Sequence, residues 1–138
     1  MNQEYTYNSL QISEIIKKYY QKYMGVKEIS VDIYSHTVLE GENQDKNLAP
    51  KTDIIIRGKL NPEMNAIFIK SLTESEIKEI MKVYCNECDY ELINFVLQQE
   101  IIYQTIEYGA GNRLKAQSVF HGIYVCASKQ ISKELLLA

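Results

Sequence analysis

The chain has no tryptophan and only two histidines, two arginines and two prolines. With so few histidines, any nucleophile–base pairing rests on His36 and His121, and neither a G-x-S-x-G nor an H-E-x-x-H occurs around them. Asp32 and His36 share one face of a strand-like segment, a pairing that an arbitrary strand can show. No apolar run approaches the ~20 residues of a membrane-spanning helix. The segment Met1–Asn8 carries neither a basic flank nor an apolar stretch, so neither a secretory signal nor a lipid anchor is expected. Three cysteines are an odd number, which without such a signal points to free thiols in the reducing cytoplasm.

A charge excess is missing too. Fifteen Lys and Arg stand against eighteen Asp and Glu, leaving a net charge of −3. That balance steers the chain toward neither nucleic acid nor an anionic membrane, and it is too weak for an acidic mimic of DNA. What is abundant is tyrosine, with eleven of the fourteen aromatic residues. Tyrosine joins a large apolar ring to a hydroxyl that favours a wet end, which places some of these rings at the core margin or on a contact surface. A coding bias that also enriches Ile, Lys and Asn explains the same abundance.

At 138 residues the chain can bury a core without metals or disulfides as staples, and one domain is expected over 1–138. Residues 9–24 place Ile12, Ile15, Ile16, Tyr19, Tyr20, Tyr23 and Met24 at helical spacing, with Gly25 as C-cap. Residues 28–38 alternate like a strand with Ile29, Val31 and Ile33 on its buried face. Glu40–Lys51 has no pattern and is expected to be a long loop, a flexible connection in preference to a lid or contact loop. Thr52–Leu60 and Ala66–Ser71 form a hairpin turning at Pro62. Thr73 and Glu76 have capping-box spacing, Leu72 can staple onto Ile77, and a helix over 74–84 follows.

Residues 89–108 read both ways. Leu92, Ile93, Val96, Leu97 and Ile101 follow helical spacing after a cap at Asp89, whereas Ile101–Ile106 alone favours a strand; helix throughout is the preferred expectation. After a break at Gly109–Asn112, Ala116–Ala127 forms a central strand, with Val119, Ile123 and Val125 on one face and Phe120, Tyr124 and Cys126 on the other. A short closing helix is expected over 128–137. The sum is an α+β fold: one mainly antiparallel sheet of about four strands, with two or three helices packed on one face.

Three constellations could carry chemistry. Cys85, Cys88, His121 and Cys126 offer four zinc ligands, but the odd offset of His121 and Cys126 puts them on opposite faces of a regular strand. A bulge at Gly122 would be needed, so thiols filling core space are preferred and no metal or cofactor is expected. Arg57, Gly109, Gly111, Arg113 and Lys115 form a candidate site for a phosphate, carboxylate or nucleotide, provided the two arginines converge. The glycines match neither a Walker A nor a dinucleotide fingerprint. Thr73–Gln99 can be drawn as helix, turn, helix, but residues 89–100 hold three acids and no base, which excludes DNA reading by that route.

The expected function is therefore non-catalytic binding of another protein through tyrosine-bearing surface and the 40–51 loop. The alternative is a binder or enzyme for a small phosphate- or nucleotide-bearing anion. A homodimer follows only from its being the commonest assembly.

Overall fold

The computed structural model describes residues 2–41, 47–60, 67–109 and 111–130, without the side chains of 106–108, 112 and 113. Its elements are β1 (Asn2–Tyr7), α1 (Ser9–Met24), β2 (Lys27–Glu40), β3 (Asn47–Lys59), β4 (Ile67–Ser71), α2 (Glu74–Glu87), β5 (Tyr90–Tyr108) and β6 (Gly111–Lys129). The strands make two antiparallel three-stranded sheets, ordered β1-β6-β5 and β2-β3-β4. The fold is α+β as expected, but the expected single sheet of about four strands is corrected to two sheets holding six strands, with two helices among the described residues.

Both helices begin where their caps dictate. The Asn8 side chain accepts from the Gln11 backbone N–H while the Gln11 side chain accepts from the Asn8 N–H, both at 2.9 Å. Gly25 ends α1 at φ 64°, a left-handed conformation that glycine adopts without a Cβ penalty. Thr73 and Glu76 form the expected capping box of α2. The apolar stripes then enter one core: Ile12, Ile15, Ile16 and Tyr20 from α1, and Ile77, Ile80, Met81 and Cys85 from α2. Ile54 and Ile56 of β3 meet them from one sheet, Ile123, Val125 and Ala127 of β6 from the other.

Residues 90–108 are strand, correcting the helix expected there. An irregularity between Leu92 and Asn94 inserts one extra residue, so the core-facing side chains fall at Leu92, Phe95 and Leu97. The extra residue turns a spacing of two into a spacing of three, which imitates a helix. Asp89 caps no helix; at φ 64° it turns the chain out of α2 into β5.

A second irregularity opposes Gln98 to Gly122 and Gln99 to Phe120, leaving His121 as the extra residue of β6. Phe120 consequently packs on the core with Ile123 and Val125, correcting the face it was expected to share with Tyr124 and Cys126. β6 holds the central position expected of it. The 40–51 loop is also corrected: Asn47–Lys51 continue β3 and pair with His36–Glu40, while 42–46 lie outside the described residues. The turn at 61–65 lies outside them as well; of the closing helix expected over 128–137, Ser128 and Lys129 are corrected to the end of β6, and 131–137 lie outside the described residues. β1 was not anticipated; it pairs Asn2–Tyr7 with Ser128–Ile123.

The inner faces of the two sheets meet at a polar seam. Ser35 and Ser118 hydroxyls bond each other, and the Thr52 hydroxyl donates to Gln99 Oε1 at 2.7 Å. The helix-covered core lies on one side of this seam. On the other side, both hairpins continue toward their turns.

Candidate functional site

The tyrosines concentrate where α1, α2 and β1 meet. Tyr5 and Tyr7 alternate onto the core-facing side of β1, and their ring centroids lie 4.6 Å apart. Tyr84, one turn before the end of α2, meets Tyr7 edge to face at 5.8 Å. On α1, Tyr19 and Tyr23 are one turn apart with centroids at 5.1 Å, and Tyr19 meets the buried Tyr20 at 5.3 Å. These offset and edge-on contacts suit the ring quadrupoles.

The rings line three joined depressions. The largest, about 470 Å³, runs between the helices past Ile15, Lys18, Tyr19, Lys22, Tyr23, Val83, Tyr84 and Glu87. A second, about 290 Å³, shares Ile15, Lys18 and Tyr84 with it and reaches Tyr7 and Gln11. A third, about 170 Å³, shares Tyr7 and Tyr84 with the second and extends to Tyr5, Cys88 and Tyr90. Tyr84 is common to all three, so the depressions adjoin one another about its ring and are called the trough below.

The polar groups of the trough are fixed. Glu87 Oε1 accepts from the Tyr23 hydroxyl at 2.6 Å and from Lys22 Nζ at 3.0 Å, tying the ends of both helices together. The Tyr23 hydroxyl, then Lys22, holds the Glu87 carboxyl below its ordinary value, and the same bonds raise Tyr23 and Lys22. Gln11 Nε2 donates to the Tyr5 hydroxyl at 2.8 Å. Burial pushes Tyr7 up to about 12, with Tyr84 next among the causes, and burial raises Tyr84 as well. Burial also pushes the Cys85 thiol up. These shifts keep the Tyr7, Tyr23 and Tyr84 phenols and the buried Cys85 thiol protonated at neutral pH, a form that donates hydrogen bonds and is a poor nucleophile.

The residues singled out in the sequence are dispersed. Arg57 lies on the outward face of β3 and faces Asp32 of β2 at 4.0 Å. Gly109 and Gly111 flank the β5–β6 turn on the other sheet, with Lys115 close behind; the side chain of Arg113 lies outside the described residues. Chain continuity brings Gly109–Lys115 together, and Arg57 stands apart from them with its own partner. His36 bonds Asp53 at 2.7 Å instead of Asp32, and His121 bonds Glu100 at 2.7 Å. Cys85 sits beneath Val125 and Ala127, whereas Cys126 shares the opposite face of its sheet with Glu4. The bulge at His121 exists, yet no group of three metal-ligating side chains gathers among the described residues.

The trough was only half visible in the sequence. Tyr19, Tyr20 and Tyr23 read as one core stripe, but only Tyr20 is buried; Tyr19 and Tyr23 are rotated one position off the Ile12–Ile16–Tyr20 line. Tyr5 and Tyr7 carried a period-two signal that escaped notice with β1. Comparison with protein-family models, with curated proteins and with solved structures returns no match for this chain.

Proposed function

We propose that the protein acts without catalysis, by binding another protein through the tyrosine trough between α1, α2 and β1. The observation that supports this reading is the clustering of the three depressions, in which six tyrosines from α1, α2, β1 and β5 gather about Tyr84. Tyr rings offer large, rigid contact area at small entropic cost, and their hydroxyls satisfy polar groups of a docked chain. Lys18, Lys22 and Glu87 give the apolar floor a charged rim, the arrangement in which central aromatic anchors contribute most of the binding energy. The described part of the expected 40–51 loop gives this surface nothing, because Glu40 and Asn47–Lys51 are paired strand remote from α1 and α2.

We place the protein in the reducing cytoplasm, a reading supported by the free thiols of Cys85, Cys88 and Cys126. Among the described residues, no helix is long and apolar enough to cross a membrane.

The test replaces exposed Tyr23 with a photo-cross-linking residue in the full chain and irradiates it in native lysate. A discrete protein adduct, lost on Tyr84→Ala while the far-UV spectrum stays unchanged, is the expected result. Absence of any discrete adduct, or one indifferent to Tyr84→Ala, overturns the reading.

A further inference from the structure

Past the polar seam the inner faces of both hairpins carry large apolar side chains that no described residue covers. Two-residue steps from Ser35 and Thr52 lead to Leu39 and Leu48, which are cross-strand partners and 65% and 42% exposed. The same steps along β5 and β6 lead to Tyr103 and Leu114, 60% and 73% exposed. β1 covers only Ile123–Ser128 of β6, so beyond that stretch the β5–β6 hairpin is a two-stranded ribbon. A two-stranded ribbon is marginal in water, and three strands or a packed face are needed for independent stability.

Among the described residues nothing pairs with or blunts the edge of that ribbon. Natural edge strands are kept short or blunted by lysine and proline. β1 and β4, with 6 and 5 residues, obey the first device, and β4 carries Lys70 as well. β5 is an edge strand of 19 residues, and its stretch Gln98–Thr105 reads Gln-Gln-Glu-Ile-Ile-Tyr-Gln-Thr, with one charge and neither lysine nor proline.

We propose that two copies of this chain join β5 edge to β5 edge, antiparallel about a two-fold axis at Ile102. Residues opposed across such an axis must share a face, so each pair is an even-sum pair centred on one residue. Centring on Ile102 sets it against its own copy on the outer face, Ile101 against Tyr103 on the inner face, and Glu100 against Gln104. No like charges oppose one another; centring on Glu100 would oppose two acids. The parts of both hairpins beyond the seam, 36–41 with 47–51 and 100–109 with 111–117, also match the ~20–30 residues that a stable interface takes from each side. This surface is distinct from the tyrosine trough, and the inference does not rest on the binding reading above.

Sedimentation velocity on the full chain from 1 to 100 μM tests it, with far-UV spectra confirming that each variant folds. The native chain is expected to sediment as a dimer. Ile102→Lys and Ile102→Glu should each weaken association at least tenfold, because each sets like charges opposite, and an equimolar mixture of the two should restore the dimer. In a Cys88→Ser background, Ile102→Cys should yield a covalent dimer under mild oxidation, whereas Ile67→Cys on β4 should not. A native chain that stays a 16.0-kDa monomer throughout, as expected if a different protein covers the edge, overturns the proposal. So does a dimer that both charged variants leave unchanged, or the absence of a covalent dimer at Ile102→Cys.

Discussion

Gly122 is a glycine pressed directly against another strand's backbone. It is buried at φ 132°, and a Cβ there would strike the Tyr7 carbonyl of β1. Gly122→Ala is expected to cost on the order of 1–3 kcal/mol from the backbone conformation alone, with the clash in addition. Gly25→Ala, at φ 64° with open space around it, should cost only the left-handed penalty of about 1 kcal/mol. Urea denaturation of both variants separates space from dihedral. The titrating residues yield a second prediction. Tyr7 and Tyr20 are raised by burial from 10.0 to about 12, so folding holds their phenols neutral. The stability this contributes is complete below pH 10 and lost as pH rises toward 12, where ionised tyrosine absorbance near 295 nm should appear together with unfolding. Glu76 shows the opposite sign. The Lys70 ammonium and the Thr73 backbone lower its carboxyl, so its contribution is present above the ordinary carboxylate range and disappears as pH falls below it. Glu76→Gln should flatten the acid limb of a stability–pH curve.

Helices and strands differ in how openly their residues announce them. α1 and α2 were legible to within a turn because their signals are local: a capping residue, a partner three positions on, and an uninterrupted stripe. Thr73→Ala removes one of those signals and should cost about 1 kcal/mol, measurable as a lower thermal midpoint. β5 was misread because its determinant is not local. A single inserted residue near Ile93 gives Leu92, Phe95 and Leu97 a helix-like spacing, and only pairing along β6 decides the outcome. The same mechanism hid the true face of Phe120, whose side of the sheet depends on where His121 is inserted. β2 and β3 were shortened in the reading because Glu40–Lys51 is polar. Polarity there marks strands that run past the core, where cross-strand pairing holds them without burial.

For the molecule as a whole, the tyrosine content was legible as a surface signal but its location was not, since the trough exists only where three elements meet. Tyr5, Tyr7 and Tyr84 are separated along the chain by an entire sheet, and no spacing rule connects them. The placement of the candidate anion residues was illegible for the converse reason: Arg57 lies on β3 and Gly111 and Lys115 on β6, strands of different sheets that composition cannot sort. If the trough is the working surface, Tyr84→Ala should weaken partner binding at least tenfold, as expected for a central aromatic anchor, while Leu39→Ala on the far hairpin should leave it unchanged. Calorimetric titration with the captured partner would measure both. The seam formed by Ser35, Ser118, Thr52 and Gln99 makes this separation durable. It acts as a firebreak: substitutions in the hairpin ends stop at four hydrogen-bonded side chains before they reach the buried isoleucines. Substitutions confined to the arms, such as Leu39→Ala, are therefore expected to change surface contacts with little loss of folding free energy, as urea denaturation would measure.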